Sequence, residues 1–225
     1  AAAPAGVPGL IQTAALSTSA TETYTLRVAA TAGSGGYELQ FVLNALLEDE
    51  ALGGAANDTR ATAQDLDPSA IPFGLGDGER LGLLDGMVDA DGGDDYFAFS
   101  LLADQTASVA LQSPSSPMEL ELFDPSGVPI AQGIPAANVS RLIDGLLPAQ
   151  GGTYTARVSG PAGAIYNLVV MRGGQFESER NDDVATAQRL IFRPDENRFT
   201  SEMLGARLGG TRDIEPDLFP AGTDL

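Results

Sequence analysis

One ten-residue stretch occurs twice and limits what this chain can be. It reads N-D-T-R-A-T-A-Q-D-L at Asn57–Leu66 and N-D-D-V-A-T-A-Q-R-L at Asn181–Leu190, identical at seven of ten positions with an offset of 124 residues. A second segment repeats as well. T-Y-T-L-R-V at Thr23–Val28 matches T-Y-T-A-R-V at Thr153–Val158 at five of six positions, offset by 130. Such offsets are too long for a solenoid repeat and suit a whole domain. The shorter offset reflects an insertion: A-L-G-G-A-A separates Glu50 from Asn57, whereas only Arg180 separates Glu179 from Asn181.

Period-two alternation marks strands with one buried face. Tyr24, Leu26 and Val28 alternate with polar residues, and Tyr37, Leu39 and Phe41 share one face. The Gly-rich loop between them suits a hairpin. The second copy has T-Y-T-A-R-V, then I-Y-N-L-V-V with Tyr166, Leu168 and Val170 on one face. Between the copies lie D-Y-F-A-F-S-L, T-A-S-V-A-L and M-E-L-E-L-F, with Phe97, Phe99, Leu101, Ala107, Val109, Leu111, Met118, Leu120 and Leu122 facing inward. Turn signals such as D-P-S-G at 124–127 separate them. Ser140–Leu147 reads as a strand or a short helix, and the A-T-A-Q stretches are too short for a stable helix. The expected fold is all-β, an antiparallel sandwich repeated in tandem. Residues 1–47 hold a lead-in and the closing strands of a preceding unit. Residues 48–172 form one complete unit, large enough to bury a core. Residues 173–225 open a following unit.

Acidic residues crowd around the repeated stretch. Glu48 and Glu50 precede the first copy, Glu177 and Glu179 the second. Asp89, Asp91, Asp94 and Asp95 follow the first, with a weaker echo at Asp213 and Asp217. The segment 85–95 carries five carboxylates and no Arg. Like charges that close repel unless a cation or solvent separates them. Calcium takes about six to eight oxygen ligands from carboxylates, Asn and carbonyls. Glu50, Asn57, Asp58, Asp91 and Asp94 or Asp95 offer such a set, and the alternative is a solvated acidic loop. Magnesium fits less well because it keeps its waters. An EF-hand starting at Asp89 is excluded, because Asp94 stands where Gly is needed and Ser100 where Glu is needed.

The motifs in order are E-x-N-D, A-x-A-x-x-L, an acidic cluster running into D-Y-F-x-F, L-F-D-P-S-G, G-T-Y-T-x-R-V and Y-N-L-V-V. Together they resemble the bacterial pre-peptidase C-terminal (PPC) domain family, over one full copy and parts of two others. The resemblance implies a jelly-roll-like β-sandwich. It also implies a secreted, non-catalytic accessory module, with relatives that bind collagen and hold calcium through the acidic N-terminal stretch. Glu179, Asn181 and Asp182 fall on the E-x-N-D motif without gaps. In the complete unit, Glu48 or Glu50 must reach back across the inserted loop to Asn57 and Asp58. Adhesion, substrate targeting or spacing outside the cell or on its surface is the implied role. The implied partner is a protein, a matrix component or a further copy. The alternative is a structural subunit assembling head to tail through incomplete terminal units into a filament.

Charge excludes other classes. A formal net charge of −19 opposes nucleic acid, which needs basic patches, and anionic lipid. No apolar run reaches membrane-span length. The chain has no His, Cys or Lys, so the common Ser and Cys nucleophiles lack their bases. Zinc, haem and iron–sulfur sites of the usual ligand types are ruled out. A carboxylate-pair hydrolase is compatible with composition, but no catalytic constellation is visible.

Overall fold

The structure is a computed structural model. It describes residues 9–12, 23–30, 32–72, 78–115, 117–177, 183–189 and 203–205. Among the described residues, thirteen strands follow in order: β1 (Leu46–Leu47), β2 (Gln64–Asp65), β3 (Ile71–Pro72), β4 (Glu79–Met87), β5 (Asp95–Leu101), β6 (Ala107–Gln112), β7 (Glu119–Phe123), β8 (Pro129–Gln132), β9 (Arg141–Leu146), β10 (Gly152–Ser159), β11 (Ile165–Arg172), β12 (Gly174–Phe176) and β13 (Met203–Gly205). Short 3-10 turns cover Glu50–Leu52, Arg60–Thr62 and Asp67–Ser69.

Four antiparallel pairs are nested inside one another: β4 with β11, β5 with β10, β6 with β9 and β7 with β8. They form two sheets, β4-β11-β6-β9 and β5-β10-β7-β8. This is the jelly-roll arrangement, in which a folded-over hairpin splits between two layers. The sheets are not purely antiparallel as expected. The two-residue strands β1 and β2 pair in parallel with β4 and β5.

The inner faces hold the residues that alternation selects. Phe97 and Phe99 from β5, Val109 and Leu111 from β6, and Leu120 and Leu122 from β7 are no more than 2 % exposed. Tyr166, Leu168 and Val170 from β11 close the same core. Glu119 is exposed on the outer face of β7, while Glu121 meets Arg157 at 2.8 Å. Residues 141–146 are the strand β9, which settles the strand-or-helix alternative. The first A-T-A-Q copy begins in the 3-10 turn Arg60–Thr62 and ends in β2 at Gln64.

The hairpin expected at 23–28 and 37–43 is absent from the described residues. Neither segment is a strand, and Tyr37, Phe41 and Leu43 are at least 70 % exposed. Conversely, β4 is the longest strand and the alternation did not reveal it. A β-bulge explains the failure. Register against β11 shifts between Tyr166 and Leu168, next to Asp85 at φ 54°. The extra residue breaks period two, so Leu81, Leu83 and Gly86 point inward and Leu84 points out.

Gly86 is required by its neighbour. A Cβ there would lie 2.6 Å from the Tyr166 ring. That ring also meets Phe97 edge-on, with centroids 6.2 Å apart. Replacing Gly86 with Ala should destabilise the sandwich by about 1–3 kcal/mol, the usual cost of overpacking. Chemical denaturation would measure it, and an unchanged midpoint would contradict this packing.

Candidate metal centre

The acidic residues meet at one end of the sandwich, where the chain crosses from β1 into β2 and from β4 into β5. The inserted A-L-G-G-A-A folds back tightly here. Residues 50–52 form a 3-10 turn closed by Gly53 at φ 76°. A Cβ on Gly54 would lie 2.7 Å from the Asp49 carbonyl, so the loop folds tightly only with glycine there. The turn carries Glu50 back onto the repeated stretch, and its Oε2 accepts from the Asn57 N–H at 2.9 Å.

Carboxylate oxygens of Glu50, Asp58 and Asp89 all lie within 4.8 Å of one another. Asp91 borders them. Its Oδ1 accepts from the Gly93 N–H at 3.3 Å, and a Cβ on Gly93 would stand 3.5–3.6 Å from oxygens of Asp58, Asp89 and Asp91. Partial desolvation and then the Asp89 and Asp91 charges raise the Asp58 carboxyl above its ordinary value. Desolvation and the Glu50 charge do the same to Asp89.

Beneath this cluster lies a buried layer. Glu48 and Asp95 are each 1 % exposed, and both contact the Tyr166 hydroxyl, at 3.2 Å and 2.5 Å. Glu48 Oε2 also accepts from the Met87 N–H at 2.6 Å. Burial raises the Glu48 carboxyl despite these bonds. Burial, then the Glu48, Asp89 and Glu50 charges, pushes Asp95 up to about 8 against the hydrogen bond from Tyr166. Burial and the two carboxylates push the Tyr166 hydroxyl up, so it stays a donor. A phenol has one proton to donate and faces two acids.

Asn57 links the layers. Its side-chain Nδ2 donates to Glu48 Oε1 and to the Tyr96 carbonyl, each at 3.4 Å. Its Oδ1 is buried and meets no hydrogen-bond partner among the described residues. Buried polar atoms normally have partners, so an unmet acceptor beside the carboxylates fits a cation-binding donor set.

The candidates therefore divide. Glu50, Asp58 and Asp89 converge, Asp91 borders them, and Glu48, Asn57 and Asp95 lie below. Asp94 does not join them: its carboxylate turns to Arg157 at 3.4 Å. Adjacent residues entering a strand point to opposite faces, which sends Asp95 inward and Asp94 outward. Glu177 is buried. Glu179, Asn181, Asp182, Asp213 and Asp217 lie outside the described residues. Tyr166 was legible only as core. Its role as the donor between two acids depends on β11 pairing with β4, which no local pattern announces.

The fold and site thus define an all-β jelly roll with an acidic cluster at one end. No protein-family model matches the chain, and no curated protein matches it. Among solved structures it is similar to Aeromonas hydrophila PliG, a periplasmic lysozyme inhibitor of g-type lysozyme. The identity is 17 % and the TM-score 0.37, covering 49 % of this chain and 95 % of that one. At that similarity nothing about site or function carries over. No helix among the described residues is long and apolar enough to cross a membrane.

A pH dependence follows from Asp95. Its folded value of about 8 lies above the ordinary carboxyl value near ~3.9. The folded state then binds more protons between these values. The stabilisation is complete below about pH 4 and is lost as pH rises through about 8. In chelator, the melting temperature should fall from about pH 5 to pH 9, and Asp95→Asn should flatten that fall. An identical slope in the variant would place the titration elsewhere.

Proposed function

We propose that this chain is a non-catalytic, calcium-stabilised module of the PPC kind from a secreted or surface bacterial protein. It would serve adhesion, targeting or spacing through a protein or matrix partner. The observation that carries the reading is the convergence of Glu50, Asp58 and Asp89 within 4.8 Å beside the unpartnered Asn57 Oδ1. Like charges held that close favour a bound cation, and all-oxygen donors suit a hard one. Calcium fits better than magnesium because a loop-built, carboxylate-rich set need not match a strict octahedron.

In this reading the cation ties the loop after β1 to the loop after β4. It acts on stability, because a ligand that binds only the folded state stabilises it. The acids have no His, Cys or Lys to work with, which supports a binding role over catalysis. PPC membership would account for the order of the repeated motifs and for the acidic stretch preceding the first sandwich strand.

Thermal unfolding in chelator and then in ~1 mM calcium tests the reading. A site with a dissociation constant near ~0.1 mM would add about 1.4 kcal/mol, or roughly 3–6 °C. Asp58→Asn and Asp89→Asn should abolish the rise, while Asp94→Asn should leave it. Equal rises in magnesium, or in both site variants, would count against a specific calcium centre.

A further inference from the structure

The described chain builds one junction twice. At its far end the Phe176 N–H donates to Asp144 Oδ1 at 3.0 Å, and Gln188 Nε2 donates to the Phe176 carbonyl at 2.7 Å. At its near end the Leu47 N–H donates to Gln12 Oε1 at 2.7 Å, and Gln64 Nε2 donates to the Leu47 carbonyl at 2.8 Å. Gln64 and Gln188 hold the same place in the repeated stretch, and Leu10-Ile11-Gln12 matches Leu142-Ile143-Asp144. The turn ahead of each glutamine also recurs. The Thr59 N–H donates to Thr62 Oγ1 at 3.2 Å, and the Asp183 N–H to Thr186 Oγ1 at 3.3 Å. Finally, β1 runs parallel to β4 as β12 runs parallel to β13.

Residues 10–12 therefore correspond to part of β9, and in sequence 23–28 match β10 and 37–43 match β11. Burial separates the two sets. Tyr24, Leu26, Val28, Tyr37, Leu39 and Phe41 are between 45 % and 73 % exposed. Their counterparts Tyr154, Ala156, Val158, Tyr166, Leu168 and Val170 are at most 2 % exposed. In the complete unit, β10 lies between β5 and β7, and β11 between β4 and β6. These are the middle positions of the two sheets, so a half-sandwich without them would be split through its core.

We propose that residues 10–12, 23–28 and 37–43 belong to the closing strands of a second jelly roll. Their apolar side is a docking surface for the opening strands, β4 to β8 in type, of another unit of this same repeat. Residues 23–28 enter one split sheet and residues 37–43 the other, with Tyr24, Leu26, Tyr37 and Leu39 turned into the shared core. Thr23, Thr25 and Arg27 face out. The doubled clamp on Leu47 and Phe176 then ties each sandwich directly to the next, so consecutive units are held rather than strung on a linker. This docking is independent of the cation.

The test supplies an opening half. A second copy of residues 46–132 is fused ahead of Ala1. Residues 1–8 then stand where the complete unit has 133–140, with the same length. Hydrogen exchange is followed by mass spectrometry in the original and extended chains. Amides of 23–28 and 37–43 should exchange at least a hundredfold more slowly in the extended chain. Adding Leu39→Asp and Phe41→Asp to it should restore fast exchange there while β10 and β11 stay protected. Unchanged fast exchange in the extended chain overturns the proposal.

Discussion

Two carboxylates buried against one phenol set the condition on which this end of the molecule depends. Glu48 arrives from β1, Asp95 opens β5 and Tyr166 stands in β11. The three come together only when both sheets have formed and the N-terminal strand has docked. Removing the Tyr166 hydroxyl would leave two buried carboxyl groups short of a donor, and an unmet buried polar group costs about 1–3 kcal/mol. The arrangement ties the segment after β1 to β5 and β11, and it places two acids with raised values under Glu50, Asp58 and Asp89. Proton uptake and cation binding are two ways of relieving the same repulsion, which is why pH and calcium are expected to act on one element.

Legibility from sequence followed the physics of alternation. Strands β5, β6, β7, β10 and β11 each present one face to a shared core, so period two marked both their existence and their inward residues. Strand β4 escaped because the bulge at Asp85 shifts its phase. The acidic cluster was legible as a set but not in its members. Asp94 and Asp95 are adjacent and chemically identical; alternation puts Asp95 on the face of Phe97 and Phe99, and the partners Arg157 on β10 and Tyr166 on β11 show only in the fold. Segments 23–28 and 37–43 show the limit from the other side. Their alternation records a fitness for pairing, but pairing needs neighbours, and the described chain supplies none in the expected hairpin.

The repeat is visible at three levels. Residue identities recur, hydrogen bonds around Leu47 and Phe176 recur, and the parallel pairing of the short joining strand recurs. The third level is the most informative, since a short parallel strand next to an antiparallel sheet has little stability of its own. Its recurrence with glutamine clamps from the A-T-A-Q stretch gives that stretch a structural role. In the complete unit it fixes the entry of the chain into the sandwich.

The central claim, a cation held where the entering loop meets the sandwich, is tested most directly by calorimetric titration of calcium into the chelator-treated chain. The comparison is a variant carrying Glu50→Gln, Asp58→Asn and Asp89→Asn together. The account predicts that the variant binds one calcium fewer than the original while keeping its circular dichroism. Equal stoichiometry in the two proteins, or no binding heat in the original, would contradict it.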